Sequence, residues 1–263
     1  MAILLADDEP DDLRSWKEVL EDHKHSVVVA TSYDEAEQCL NEGGFDVAVL
    51  DLYLMGRSRE GMGVQLAKRF GQRLPVIILT AEDTSAAAKE SLQGEACDYI
   101  SKAAGAQALL AAVEKALKRR VFVVHGHDPR FLNEVRDFLR SKHLWPIVLQ
   151  EEPGGGRTII EKVEQYSNVA FAVVLFSPDD AGGKQLRPGK VDTLRQRPRQ
   201  NVVFELGFFV GKLGRKRTVV LRADPAEIEM LSDYGGVQFI STSVGNWRDV
   251  LVREMKAGGI EVR

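Results

Sequence analysis

The chain reads as an α/β protein made of two doubly wound parallel-sheet domains, and three observations predict it. Short apolar runs alternate with amphipathic stretches along all 263 residues, the rhythm of βαβ units rather than of hairpins. The runs are almost continuously apolar, as strands covered on both faces must be. The rhythm also occurs twice, with different segment lengths, on either side of Lys118-Arg119-Arg120.

In the first half, strands are expected at 2–6 (AILLA), 27–30 (VVVA), 46–51 (DVAVLD), 75–80 (PVIILT) and 98–101 (DYIS), with helices near 10–22, 34–42, 60–71, 84–94 and 105–119. The second half gives strands at 121–124, 146–150, 170–176, 218–222 and 237–240, and helices near 129–141, 158–166, 200–213 and 247–257. The helix at 200–213 has legible ends: Gln200-Asn201 can start it, Gly214 can follow it, and Lys212, Arg215, Lys216 and Arg217 suit the negative end of its dipole. The domains are therefore expected at 1–119 and 120–263, with a helix running almost directly into a strand at the junction. Residues 177–198 hold Pro178, Gly182, Gly183, Pro188, Gly189 and Pro198 without apolar periodicity. An irregular lid or binding loop is expected there.

Composition excludes several classes. Residues 1–120 carry 14 Lys and Arg against 21 Asp and Glu, net −7, and residues 121–263 carry 21 against 18, net +3. Neither half has the strong positive field of a nucleic-acid binder, and no such partner is expected. A basic cluster of Lys184, Arg187, Lys190, Arg195, Arg197 and Arg199 fits phosphate binding as well as it fits a solvated loop. Cys39 and Cys97 are the only cysteines, too few for a disulfide framework or a thiolate metal site, which points to a reducing compartment. The opening MAILLADDEPDD turns acidic too early for a signal peptide. No apolar run approaches the roughly 18–20 residues of a membrane span. A cytoplasmic protein is expected, with no membrane partner.

In a five-stranded sheet of order 2-1-3-4-5, ligands bind at the carboxyl ends of strands one and three, where the winding reverses. Asp7 and Asp8 follow strand one and Asp51 ends strand three; Thr80 ends strand four and Lys102 follows strand five. Three carboxylates converging there repel one another unless a hard cation such as magnesium joins them. The stretches ADDE, AVLDL, ILTA and DYISKA resemble the motifs of the flavodoxin-like receiver domain of two-component response regulators. The resemblance implies that Asp51 accepts a phosphoryl group from a sensor histidine kinase or a phosphotransfer protein. It also implies that Asp7, Asp8 and Asp51 hold Mg2+, that Thr80 and Lys102 contact the phosphoryl oxygens, and that Tyr99 is the switch aromatic. Ala103 stands where that family usually has proline, and the loop GRSREG is longer than usual.

The second half raises a different question at VVFELGFFV, where one acid, Glu205, sits in an apolar run. At helical spacing its neighbours one turn away are Asn201, Val202, Phe208 and Phe209, so the carboxylate leaves a mostly buried face. Such a charge is costly unless it is paired, with Arg199 for example, or used in chemistry. The loops HGHD (125–128), EEPGGGRT (151–158) and SPDD (177–180) follow strands, where a ligand should bind. Their glycines permit close backbone approach, and Thr158 can cap the next helix. His125 and His127 have no evident third ligand and read as polar loop residues rather than as a metal site.

The segment VFVVHGHD…EEPGGGRT…LFSPDD…RPRQNVVFELGFFVGKLGRKR resembles the bacterial TIR-like domain and is similar to the TIR modules found beside cyclic-nucleotide-sensing STING domains. The resemblance implies NAD as substrate and Glu205 as the residue required to cleave it. The surrounding positions His125, Gly126, His127, Gly155, Arg157, Ser177, Asp179 and Asn201 are then expected around the nucleotide. The whole chain is expected to be a signalling protein in which a phosphorylatable receiver controls an NAD glycohydrolase, associating with copies of itself on activation. A noncatalytic, phosphorylation-controlled scaffold and a nucleotide sensor without turnover are the alternatives.

Overall fold

The computed structural model describes residues 1–54, 62–81, 96–152, 156–183, 185–187, 190–191, 193–223, 228 and 235–262. They form two compact units, Met1–Lys118 with Gln150–Asn168, and Arg119–Leu149 with Val169–Arg263.

In the first unit, β1 (Ala2–Ala6), β2 (Ser26–Ala30), β3 (Val47–Leu50), β4 (Val76–Thr80) and β5 (Asp98–Ser101) form a sheet of order β2-β1-β3-β4-β5. Every neighbouring pair is parallel. Alternate residues of the central strands enter two separate cores. Leu4, Ala48, Leu50, Val76 and Ile78 pack on the face covered by α2 (Tyr33–Glu42) and α3 (Met62–Phe70). Ile3, Leu5, Val47, Val49, Ile77 and Leu79 pack on the other face, against α1 (Pro10–Asp22) and α4 (Ala106–Leu117). The two-residue side-chain period of a strand thus serves both faces, which is why the runs read as continuously apolar. The expected helix at 84–94 and the loop GRSREG lie outside the described residues.

The segment 150–168 carries α6 (Ile159–Tyr166), started by a capping box. The Thr158 hydroxyl accepts the Glu161 amide, and the Glu161 carboxylate accepts the Thr158 amide, so two donors of the first turn are satisfied locally.

In the second unit, β6 (Arg120–Val124), β7 (Trp145–Ile147), β8 (Phe171–Phe176), β13 (Thr218–Arg222) and β14 (Gln238–Ser241) form a parallel sheet of order β14-β13-β8-β6-β7. Val121, Val123, Val173, Leu175, Val219 and Leu221 face a core shared with α5 (Pro129–Ser141) and α8 (Trp247–Ala257). On the opposite face Phe122 meets Phe209 of α7 (Gln200–Leu213), the ring centroids 4.4 Å apart. The winding reverses between β6 and β8, which places the carboxyl ends of those two strands side by side.

The stretch 177–198 corrects one expectation. It is not irregular: β9 (Asp180–Gly182) pairs antiparallel with β12 (Arg195–Arg197), and β10 (Gln185–Arg187) with β11 (Lys190–Val191). These strands are two or three residues long and paired through the backbone, too short for an alternation of hydrophobicity to mark them. β7 is likewise shorter than the expected 146–150, an edge strand in which Pro146 is tolerated.

Phe209 is fully buried, and its ring joins α7 to the sheet. Phe209→Ala should cost about 3–5 kcal/mol, read as an earlier denaturation midpoint of the second unit; a loss below about 1 kcal/mol would show that this helix is not anchored through Phe209.

Candidate functional site

At the carboxyl edge of the first sheet, the β1 end supplies Asp7, which is 1 % exposed, and Asp51 follows β3, 7 % exposed. Lys102, directly after β5, puts its Nζ 2.6 Å from Asp7 Oδ2 and 3.4 Å from Asp51 Oδ1. Asp51 Oδ2 accepts the Tyr53 amide at 2.8 Å, and Asp7 Oδ1 accepts the Glu9 amide at 3.0 Å. Burial pushes both carboxyls above their usual range despite the ammonium. Burial also works against the Lys102 charge, but its hydrogen bonds with Asp12 and Asp7 and the charge of Asp51 outweigh it and raise its pKa. Thr80, at the end of β4, is buried beside this edge, and Tyr99 packs against the core from β5.

The structure adds two residues that sequence reading passed over. Asp12 Oδ2, in the first turn of α1, lies 2.6 Å from Lys102 Nζ, so a third carboxylate holds the ammonium. Its signal was an acid in the first helical turn, which reads equally well as a dipole partner. Gly63 donates its amide to Leu52, and a Cβ there would stand 2.1 Å from the Asp51 carbonyl oxygen. Only glycine lets α3 approach the loop after β3 so closely.

The donor set suits magnesium. Among the described residues no group of three or more acids, histidines or cysteines gathers at metal-ligating range. Magnesium needs only one or two carboxylates and keeps several waters, and Asp7 and Asp51 are two buried carboxylates sharing one ammonium, with half-buried Asp8 next in the chain.

In the second unit, the loops after β6 and β8 interlock. Asp179 Oδ1 accepts the His127 amide at 3.1 Å, and its Oδ2 accepts the Ser177 hydroxyl at 2.8 Å. A Cβ on Gly126 would stand 1.7 Å from Asp179 Oδ2 and 3.0 Å from Ser177 Oγ. His125 Nδ1 lies 2.8 Å from its neighbour's carbonyl, Gly126 O. Gly126, His127, Ser177 and Asp179 are therefore brought together as one brace, and the glycine is required by the carboxylate lying across it.

Glu205 lies on α7, half-buried, while Asn201 is exposed in the first turn of the same helix. Burial alone pushes the Glu205 carboxyl up to about 7. The pairing with Arg199 considered from sequence does not form: Arg199 Nη1 meets His127 Nε2 instead. No cation pairs with Glu205 among the described residues. Gly155 lies outside the described residues, and Arg157 is an exposed residue of the segment 150–168 in the first unit.

Comparison with known proteins assigns a family to each half of the chain, with the segment 150–168, grouped by its contacts with the first unit, falling inside the second match. Residues 3–114 match the response regulator receiver domain, and residues 120–243 match the family described as CAP12/Pycsar effector protein, TIR domain. The uncharacterized protein YuaY of Escherichia coli (strain K12) is 42 % identical over 151 residues, covering 57 % of this chain and 48 % of that protein. The Pycsar effector protein PaPycTIR of Pseudomonas aeruginosa is 35 % identical over 88 residues, 34 % of this chain and 27 % of its own length. The alginate biosynthesis transcriptional regulatory protein AlgB of Pseudomonas aeruginosa is 35 % identical over 121 residues, 45 % of this chain and 26 % of that one. The chain thus spans less than half of the length of each of these relatives. It joins a response regulator receiver domain to a TIR domain of the CAP12/Pycsar effector family.

Proposed function

We propose that residues 120–263 cleave NAD at the bond between nicotinamide and ribose, that Glu205 is the residue in contact with the reacting ribose, and that phosphorylation of Asp51 in residues 1–119 controls the reaction. The observation that carries the reading is Glu205 itself, a half-buried carboxylate with no cation paired to it among the described residues and a pKa pushed up to about 7 by burial. A structural acid in such surroundings is normally neutralised by a partner. An unpartnered one suits a site where positive charge develops only during reaction.

The chemistry asks for such a group. As the glycosidic bond breaks, its electron pair moves onto the nicotinamide nitrogen, which leaves as a neutral base, and the ribose carbon takes on positive charge. A carboxylate in low dielectric stabilises that charge more strongly than it would in water. The leaving group needs no proton, so one acid suffices. The brace of Gly126, His127, Ser177 and Asp179 holds the loops at the switch point, where a dinucleotide binds in sheets of this class.

In the receiver, Asp51 is the nucleophile of the proposed phosphoryl transfer from a histidine kinase or phosphotransfer protein. Asp7, Asp8 and Asp51 would hold magnesium, which when bound supplies charge neutralisation to the phosphoryl oxygens. Lys102 is already positioned by Asp7, Asp12 and Asp51 to follow an anion formed on Asp51. Association of copies of the chain is the proposed consequence of phosphorylation, and the reaction is placed in the cytoplasm. No helix among the described residues is long and apolar enough to cross a membrane.

Purified protein incubated with NAD should release nicotinamide, measured by chromatography. Release in no phosphorylation state would instead favour the scaffold. Glu205→Gln keeps the volume and removes the charge, and should lower turnover by at least about 10²-fold with little change in NAD binding.

Two pH profiles follow from the raised pKa of Glu205. Because the ionised form acts, wild-type turnover should rise with pH through about 7. Stability should move the other way. Between its unfolded value near 4.5 and the folded value of about 7, the unfolded chain loses the Glu205 proton first, so folding weakens as pH rises across that window. Glu205→Gln should accordingly melt with the wild type near pH 4 and above it near pH 8. An equal difference at both pH values would mean that the carboxyl does not titrate there.

A small-molecule phosphoryl donor with magnesium should label the wild type once and leave Asp51→Asn unlabelled; equal labelling of the two would exclude Asp51 as acceptor.

A further inference from the structure

Arg197 and Arg199 form a second feature beside Glu205 that the proposed chemistry leaves unused. Arg197 ends β12 and Arg199 is the residue before α7, with buried Pro198 between them. Only the two peptide bonds on either side of Pro198 separate the two, so both cations enter at the start of the helix that carries Glu205. Both side chains are fixed without being neutralised. The Arg197 guanidinium lies across Gly182 of the paired strand, where a Cβ would come within 2.2 Å of its central carbon. Its Nε is buried and has no hydrogen-bond partner. Arg199 is held by the imidazole of His127, a neutral acceptor. Among the described residues neither guanidinium has a carboxylate within ion-pair distance.

Two half-buried guanidinium groups two residues apart, without a carboxylate on either among the described residues, favour a bound anion. Their planar forks match phosphoryl oxygens. No side chain caps the first turn of α7, so its amide donors are not taken up by a cap. Glu205 follows Arg199 by six residues, about 9 Å along the helix axis, and its side chain leans back toward the helix start. That separation is of the order of the distance from a ribosyl carbon to a phosphate attached through its 5′ carbon.

We infer that Arg197 and Arg199 are the diphosphate seat of the second domain, binding the diphosphate of a dinucleotide whose ribosyl bond lies at Glu205. His127 is the positioning residue that holds Arg199 there. The inference rests on the reading of Glu205 as the cleaving residue, and it adds the groups that distinguish a dinucleotide from a nucleoside.

The test compares NAD with nicotinamide riboside, which carries the same scissile bond and no phosphate, on the full chain. Arg199→Gln and Arg197→Gln should each raise KM for NAD by at least about tenfold, with kcat within about twofold. Cleavage of the riboside should be unchanged. Equal losses on both substrates, or an unchanged KM for NAD in both variants, would overturn the seat. Melting temperatures identify a variant that has lost its fold, and the other variant then decides.

A calorimetric titration with inorganic pyrophosphate separates this inference from the reading beneath it. If the wild type cleaves neither substrate yet binds pyrophosphate, and Arg199→Gln does not, the seat stands while the cleavage reading fails. If the wild type does not bind pyrophosphate and cleaves neither substrate, the seat is wrong.

Discussion

A parallel sheet buried on both faces has no place for a charge except at the ends of its strands, and both domains of this chain are organised by that constraint. Along β1, β3 and β4 of the receiver, and along β6 and β8 of the TIR domain, successive side chains enter opposite cores, and almost every position is apolar and sealed. Polar groups collect where the strands stop: Asp7, Asp51, Thr80 and Lys102 in one domain, His127, Ser177 and Asp179 in the other. The location of the chemistry is therefore a consequence of the packing.

Within that shared geometry the two domains solve the problem of a buried carboxylate in opposite ways. In the receiver a single ammonium, Lys102, is held by three acids from three parts of the chain. The resting site keeps excess negative charge, which suits a cation and a phosphoryl group that arrives with one. In the TIR domain no cation among the described residues pairs with Glu205, and Arg199, six residues before it, is held by His127. A cation permanently beside Glu205 would lower its pKa and compete with the positive charge it is proposed to stabilise. Keeping the arginine on an imidazole leaves the carboxylate available, at the cost of stability above the unfolded pKa of that acid.

Much of this was legible in the sequence, and the parts that were not share a cause. Continuous apolar runs gave the strands, and Gln200, Gly214 and the trailing Lys and Arg residues gave the bounds of α7. The receiver site was legible because each of its residues ends a strand, so local chain position predicts spatial position. The short strands between 180 and 197 were not legible, because pairing of only two or three residues through the backbone is too short to leave a side-chain period. Arg199 was misassigned for a related reason. Proximity along the chain suggested Glu205 as partner, whereas the actual partner, His127, is 72 residues away and is set by the crossing of β6 and β8. The roles of Gly126 and Gly63 were hidden too, since what a glycine must avoid belongs to another segment.

The same economy of sequence holds where the chain passes from one domain to the other. Helix α4 ends at Leu117, Lys118 closes it by donating its amide to Glu114, and β6 begins at Arg120. One residue, Arg119, is left as connection, and both it and Arg120 are buried, at 4 % and 1 % exposure. A solvated, composition-biased linker would let two domains act independently. This junction of one residue has neither the length nor the composition of such a linker. Lys102 stands four residues before α4, and α4 ends three residues before β6, the strand next to edge strand β7 in the TIR sheet. The buried stripe of Leu109, Ala112, Val113, Ala116 and Leu117 packs α4 along its length against the receiver core, so the helix that leads out of the phosphoryl-site edge is fixed by the same core as the strands that build that edge.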